Sequence, residues 1–268
     1  MTSEELAWKI RRQAIEMTHI SKASHIASIL SIADITAVLY NDVISIYPKD
    51  PLNEKRDRFI LSKGHAGVAI YIALAEKGFF NKDELTTYYS NGSKLSGHVS
   101  HKDIPGVEIS TGSLGHGICI ACGMAIAAKR DNKHHRIFVI IGDGECDEGS
   151  VWEAALFANH FKLSNMTVII DHNKYQGLDK CENTLDLIDL AKKWKAFGWD
   201  AYEVDGHDHD QLISILSKKN SDKPTCIIAH TIKGKGISFM ENQMIWHYRD
   251  PQGEYYERAI VELESSKP

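Results

Sequence analysis

The sequence has no run of about 18 apolar residues, the length a helix needs to cross a bilayer. Its first residues, Met1-Thr2-Ser3-Glu4-Glu5, are acidic and lead into an amphipathic segment, without the basic and apolar regions of a secretory signal. Cysteines number five, an odd count with no disulfide framework, which fits a reducing, cytoplasmic location. Basic charge is not in excess: the net charge of -5 argues against a general nucleic-acid binder, which would carry a basic face. No Gly-x-Gly-x-x-Gly lies between a strand and a helix, and Gly112-Ser113-Leu114-Gly115-His116-Gly117 has the wrong order for a dinucleotide loop. Repeats, low-complexity segments and interdomain linkers are absent. What remains is ordinary globular composition, 43% hydrophobic over 268 residues, read as a single domain over 1–268.

Apolar periodicity predicts helices over 4–20, 32–44, 65–76 and 82–89, around a short strand at Arg58-Phe59-Ile60-Leu61. A Gly- and Ser-rich loop region spans 90–117. From there strands and helices alternate: strands at 137–141, 166–170, 201–204 and 225–229, helices at 151–161, 188–197 and 208–218. Continuous apolar strands in such alternation mean an α/β fold, a parallel sheet with helices on both faces. The tail after Trp246 is polar and reads as a surface wrap. Cys119 and Cys122 form a CxxC, but in an apolar helix-like stretch with no second pair, so they read as buried small residues.

Ligands of parallel sheets sit beyond the carboxyl ends of the strands. There the sequence places Gly142-Asp143-Gly144-Glu145 and Asp171-His172-Asn173-Lys174-Tyr175. Asp143 and the Asn173 carboxamide are hard oxygen ligands suited to Mg²⁺ or Ca²⁺. Glycines beside Asp143 allow close approach to a phosphate, and the next helix would aim its N-terminus there. Alone, Gly-Asp-Gly reads as a turn. The spacing changes that: 28 residues, 145–172, separate Gly144 from Asn173, one helix plus one strand. This resembles the thiamine diphosphate motif.

Further segments match the transketolase family in order. Asp57-Arg58-Phe59-Ile60-Leu61-Ser62-Lys63-Gly64-His65-Ala66 resembles its strand-to-histidine signature. Pro105-Gly106-Val107-Glu108 and Thr111-Gly112-Ser113-Leu114-Gly115-His116-Gly117 resemble its cofactor loop. Lys233-Gly234-Lys235-Gly236, with His247 fourteen residues after Lys233, resembles its last phosphate-side signature. The resemblance runs from about Arg11 to His247. It implies a thiamine diphosphate-binding fold and transfer of a two-carbon ketol unit from a ketose, or its phosphate, to an aldose.

Residue by residue, the resemblance implies that Asp143, Asn173 and the Tyr175 carbonyl hold the metal. Gly144, His65, Lys233 and His247 would contact the cofactor, chiefly its diphosphate, and Asn173 would face it too. Gly112 and Leu114 would pack near its rings, with Ser28 close by. His25, His65, His98 and His247 would line the substrate channel as the catalytic histidines. His116 stands where the family commonly has Gln, and His172 where it has Asp or Asn; the latter is not expected to bind metal. Glu148 matches an acidic interface position, though a carboxylate at a helix start looks the same. His134, His135, His207 and His209 lie in polar stretches and read as solvated. Ile26-Ala27 departs from a Pro-Gly pair common in the family, which leaves the donor sugar open.

The family activates its cofactor with a glutamate on a pyrimidine-binding domain downstream of this one. The chain stops at Pro268, where that domain would begin. The resemblance therefore implies a partner, the C-terminal transketolase subunit, in an α2β2 heterotetramer, with no nucleic-acid or membrane partner. Another thiamine-dependent carboligase, a 2-oxo acid dehydrogenase component, or an inactive cofactor-binding scaffold are the alternatives.

Overall fold

The structure, a computed structural model, describes residues 1–218 and 222–268. Five parallel strands form one sheet: β1 (Arg58–Leu61), β2 (Ile137–Gly142), β3 (Met166–His172), β4 (Asp200–Asp205) and β5 (Thr225–His230), in the order β1-β2-β3-β5-β4. β2 and β3 are paired along their length, with Gly142 level with Asp171. Asp143 and Asn173 therefore emerge from neighbouring strand ends, as their spacing predicts.

The strands are apolar at successive positions because both faces are covered. Phe138, Ile140, Ile169 and Ile227 belong to one core; Val139, Ile141, Val168, Ile170 and Ile228 belong to the other. The first core packs under α1 (Ser3–Ser21), α2 (Ile26–Ser31), α3 (Ala33–Val38) and α4 (Gly67–Glu76). The second packs under α5 (His116–Arg130) and α6 (Gly149–His160). α7 (Cys181–Thr184) and α8 (Leu190–Ala196) precede β4; α9 (His209–Leu216) and α10 (Glu254–Ser265) join the first face. A capping box starts α1: the Thr2 hydroxyl accepts from the Glu5 amide, and the Glu5 carboxylate accepts from the Thr2 amide. Among the described residues, no helix is long and apolar enough to cross a membrane.

Several elements differ from expectation. The helix expected over 32–44 starts earlier and breaks: α2 begins directly after His25, α3 follows, and a π turn spans Leu39–Val43. The segment at 82–89 is a 3-10 helix, Lys82–Thr87. A 3-10 turn, Gly144–Asp147, separates Asp143 from α6, so that helix does not start at the Gly-Asp-Gly turn. The polar tail forms α10, which buries Ala259 and Leu263, spaced four apart, while the Trp8 indole donates to the Leu263 carbonyl at 2.7 Å. Tyr255, Tyr256 and Ile260 pack against the same core, so the run that reads as polar carries an apolar stripe wide enough to dock a helix.

Cys122 is buried, but Cys119, three residues earlier on α5, is exposed. His134 is exposed, whereas His135 is half-buried. His207 and His209 are not solvated: both bond the buried Asp34, at 2.6 and 3.1 Å, beside its bidentate pair with Arg11. A buried carboxylate needs partners, and these polar-looking residues supply them.

Candidate active site

A cavity of about 270 Å³ opens over the carboxyl ends of β1, β2, β3 and β5. His65 reaches it from the turn after β1, Asp143 and Gly144 from after β2, Asn173 and Tyr175 from after β3, and Lys233 from after β5. His25 and Ser28 enter from the start of α2, His98, Gly112 and Leu114 from the long loop before α5, and His247 from a 3-10 turn, Met244–His247. Every residue expected to hold metal, cofactor or sugar lies on this one cavity. His116 is not among the lining residues; it is exposed, with Nδ1 3.1 Å from the Leu114 carbonyl oxygen.

Four histidine rings converge. His25 is 5.1 Å from His65, 5.7 Å from His98 and 5.0 Å from His247, centroid to centroid. Burial, helped by the other rings and the nearby lysines, pushes His25 down to about 4 and His247 down to about 3. Burial likewise holds His65 well below the usual histidine range. At neutral pH these three rings are uncharged, each with one N–H to donate and one lone pair to accept. The Nδ1 atoms of His25 and His247 are buried without a partner among the described residues.

The backbone at His25 is left-handed (φ 74°), a conformation few non-glycine residues adopt. The His25 amide donates to the His247 carbonyl at 2.8 Å, which ties the two histidine-bearing segments together.

The opposite wall is built on a buried ion pair. Lys63 bonds the fully buried Asp171, whose other oxygen accepts from Ser31 and Thr231. Burial would raise Asp171, but Lys63 and the Ser31 and Thr231 hydrogen bonds together outweigh it and hold the carboxyl low. Asp171 also accepts from the Asn173 carboxamide nitrogen at 2.9 Å, which fixes the amide orientation; its oxygen accepts from the Tyr175 amide at 3.0 Å and keeps a second lone pair for a ligand. Glu145, equally buried, accepts from Ser62, from the Gly115 amide at 2.9 Å and from the Gly142 amide at 3.1 Å. It clamps the Gly112–Gly115 loop to the end of β2.

These residues fit a metal-bound diphosphate. Asp143 is buried with no ion pair among the described residues, and burial together with neighbouring Asp171 pushes it up to about 6. A divalent cation relieves that cost, and the donors present, a carboxylate, a carboxamide oxygen and a carbonyl, are all hard oxygens. Lys233 is buried, pushed down to about 8 by burial and Lys63, and donates to the Tyr175 and Gln176 carbonyls at 3.3 and 3.0 Å. A Cβ on Gly144 would meet the Gln176 side chain at 2.7 Å, so glycine there keeps the wall open.

Residues 2–250 match the family model for the transketolase, thiamine diphosphate binding domain. The chain belongs to the transketolase family. It carries the thiamine diphosphate-binding domain of transketolase-type transferases. A Phocaeicola vulgatus protein named as one of the subunits of an apulose-4-phosphate transketolase is 40% identical over 98% of this chain and 94% of its own length. A Clostridium protein named a 6-deoxy-6-sulfo-D-fructose transketolase subunit is 39% identical over 95% of this chain and 94% of its own. The Campylobacter jejuni transketolase crystal structure superposes with a TM-score of 0.92 at 30% identity; it covers 98% of this chain, which spans 42% of that longer one.

Sequence reasoning missed Lys63, Glu145, Asp171, Gln176, Gly177 and Tyr248. Lys63 and Asp171 carried a signal: both lie at or just after the end of a strand in a sheet whose ligands sit at strand ends. Glu145 shares that position, just after β2, but its clamp on Ser62 and Gly115 depends on distant partners; Tyr248 carried no signal.

Proposed function

We propose that this chain is the cofactor-binding subunit of a two-chain transketolase. Residues 1–268 act as one diphosphate-binding unit, and two copies assemble with two pyrimidine-binding partner chains into a heterotetramer. One observation carries this reading: a single cavity joins the oxygen donors Asp143, Asn173 and Tyr175 to four converging histidines. Relatives named as subunits, matched over nearly their whole length, support the two-chain part. Five cysteines, all unpaired, suit a cytoplasmic location.

Asp143, the Asn173 oxygen and the Tyr175 carbonyl hold Mg²⁺ or Ca²⁺. Gly144, Lys233, His65 and His247 receive the diphosphate; Ser28, Gly112 and Leu114 face the rings. Thiamine diphosphate, when bound, supplies the electron sink for breaking the bond beside a ketose carbonyl. The neutral rings of His25, His65 and His247, with His98, hydrogen-bond the hydroxyls of a ketose or ketose phosphate and of the aldose acceptor. They take and return protons at those sugar oxygens.

The test is purification of the tagged chain from its native cells with mass spectrometry of what accompanies it. A stoichiometric partner carrying a pyrimidine-binding domain is expected, and the pair should convert ketose plus aldose when given Mg²⁺ and thiamine diphosphate. Full transketolase activity from the lone chain would sink the two-chain reading.

A further inference from the structure

Tyr248 lines the same cavity, yet none of the roles above uses it. Its ring centroid is 4.7 Å from that of His247 and 6.0 Å from that of His25. At 59% exposure it stands on the rim, above a floor where Lys63, Asp143 and Lys233 are buried. Among the described residues its hydroxyl has no hydrogen-bond partner.

Gly177 faces it. A Cβ there would meet the Tyr248 hydroxyl at 2.8 Å and His247 Nε2 at 3.6 Å. The Gly177 backbone is not left-handed, so glycine is needed for space and not for conformation. The missing side chain at 177 and the large one at 248 are thus complementary. Together they hold a free phenolic hydroxyl, able to donate and to accept, beside two of the sugar-facing histidines. The buried lysines draw the anionic end of the cofactor to the floor, which leaves the rim for uncharged polar groups.

We infer that Tyr248 is a specificity-determining residue for the ketose donor. Its hydroxyl, in the space Gly177 leaves free, hydrogen-bonds a hydroxyl on the sugar chain beyond the reacting carbonyl. The inference rests on the transketolase reading.

The experiment uses the reconstituted two-chain complex with Tyr248→Phe, Gly177→Ala and the double substitution. Donor kcat and KM are measured over ketoses that keep or lack individual hydroxyls, with cofactor affinity and melting temperature in parallel. Tyr248→Phe should raise KM roughly tenfold for ketoses bearing the recognised hydroxyl, the usual effect of one lost hydrogen bond, and far less for those lacking it. Cofactor affinity and melting should hold. Gly177→Ala should displace the hydroxyl and do the same, and the double variant should be no worse than the poorer single one. An equal loss across all ketoses, a loss of cofactor affinity with donor KM unchanged, or a failure of the two chains to assemble overturns the inference alone. A wild-type complex inactive on every ketose overturns the transketolase reading first.

Discussion

Asp143 shows how a single residue is tuned for a ligand the bare chain does not supply. Its buried carboxylate forms no ion pair among the described residues, and its raised pKa means that ionisation costs folding stability at neutral pH. Asp143→Asn should therefore stabilise the cofactor-free chain by about 2 kcal/mol while abolishing the stabilisation by Mg²⁺ and thiamine diphosphate. Melting curves at pH 7 with and without both ligands decide it; an unchanged ligand response would remove Asp143 from the metal set. The histidines give a second prediction. His65→Ala or His247→Ala in the assembled complex should lower kcat/KM by about 10²–10⁴ with assembly intact, as read by a coupled donor–acceptor assay and gel filtration. Activity that survives either change would favour a purely structural cluster.

At the scale of elements, Asp34 on α3 is a junction. It receives Arg11 from α1, His209 from α9 and His207 from the turn after β4. His207 Nε2 in turn accepts from the Ile232 amide at 2.8 Å, so its Nδ1 carries the proton toward Asp34, and the segment leading to Lys233 is tied to the same carboxylate. Burial would raise Asp34, but Arg11 and the histidine hydrogen bonds outweigh it and hold the carboxyl well below the usual range. A depressed carboxyl stabilises the fold above its unfolded value, about 3.9, and loses that contribution as pH falls through the lower folded value. Urea midpoints followed below about pH 4 should show this acid limb in the wild type and a shallower one in Asp34→Asn, which should also be about 3 kcal/mol less stable at pH 7. The terminal helix offers a separate check. Leu263→Ala should cost about 2–3 kcal/mol, because the side chain is buried against α1 and leaves a cavity. A loss under about 0.5 kcal/mol, the level of an ordinary surface substitution, would mean that α10 frays from the body.

For the whole molecule, cofactor and partner should act on one equilibrium. If the diphosphate is held by this chain and its ring end by another, each ligand stabilises the form that binds the other. Scanning calorimetry should then show a larger shift from Mg²⁺ and thiamine diphosphate with the partner present than without it. Equal shifts would mean that the two binding events are independent and would weaken the proposed shared interface.

The linear pattern specifies the sheet and much of the cavity. Apolar runs at 137–141 and 166–170 record burial on both faces, and a ligand site at the ends of parallel strands puts the residues after those runs beside each other. That much made Asp143 and Asn173 legible, and the ordered motifs brought in Lys233 and the histidines. Which distant residues complete one another depends on packing. The Lys63–Asp171 pair is 108 positions apart, Ser62 and Glu145 are 83 apart, and the Asp34 junction draws on residues 11, 207 and 209. A lysine or aspartate needed by a partner across the fold leaves no local period, since burial of a charge is settled by what packing places around it. The same holds for Tyr248 and Gly177, whose complementarity exists only once two loops meet.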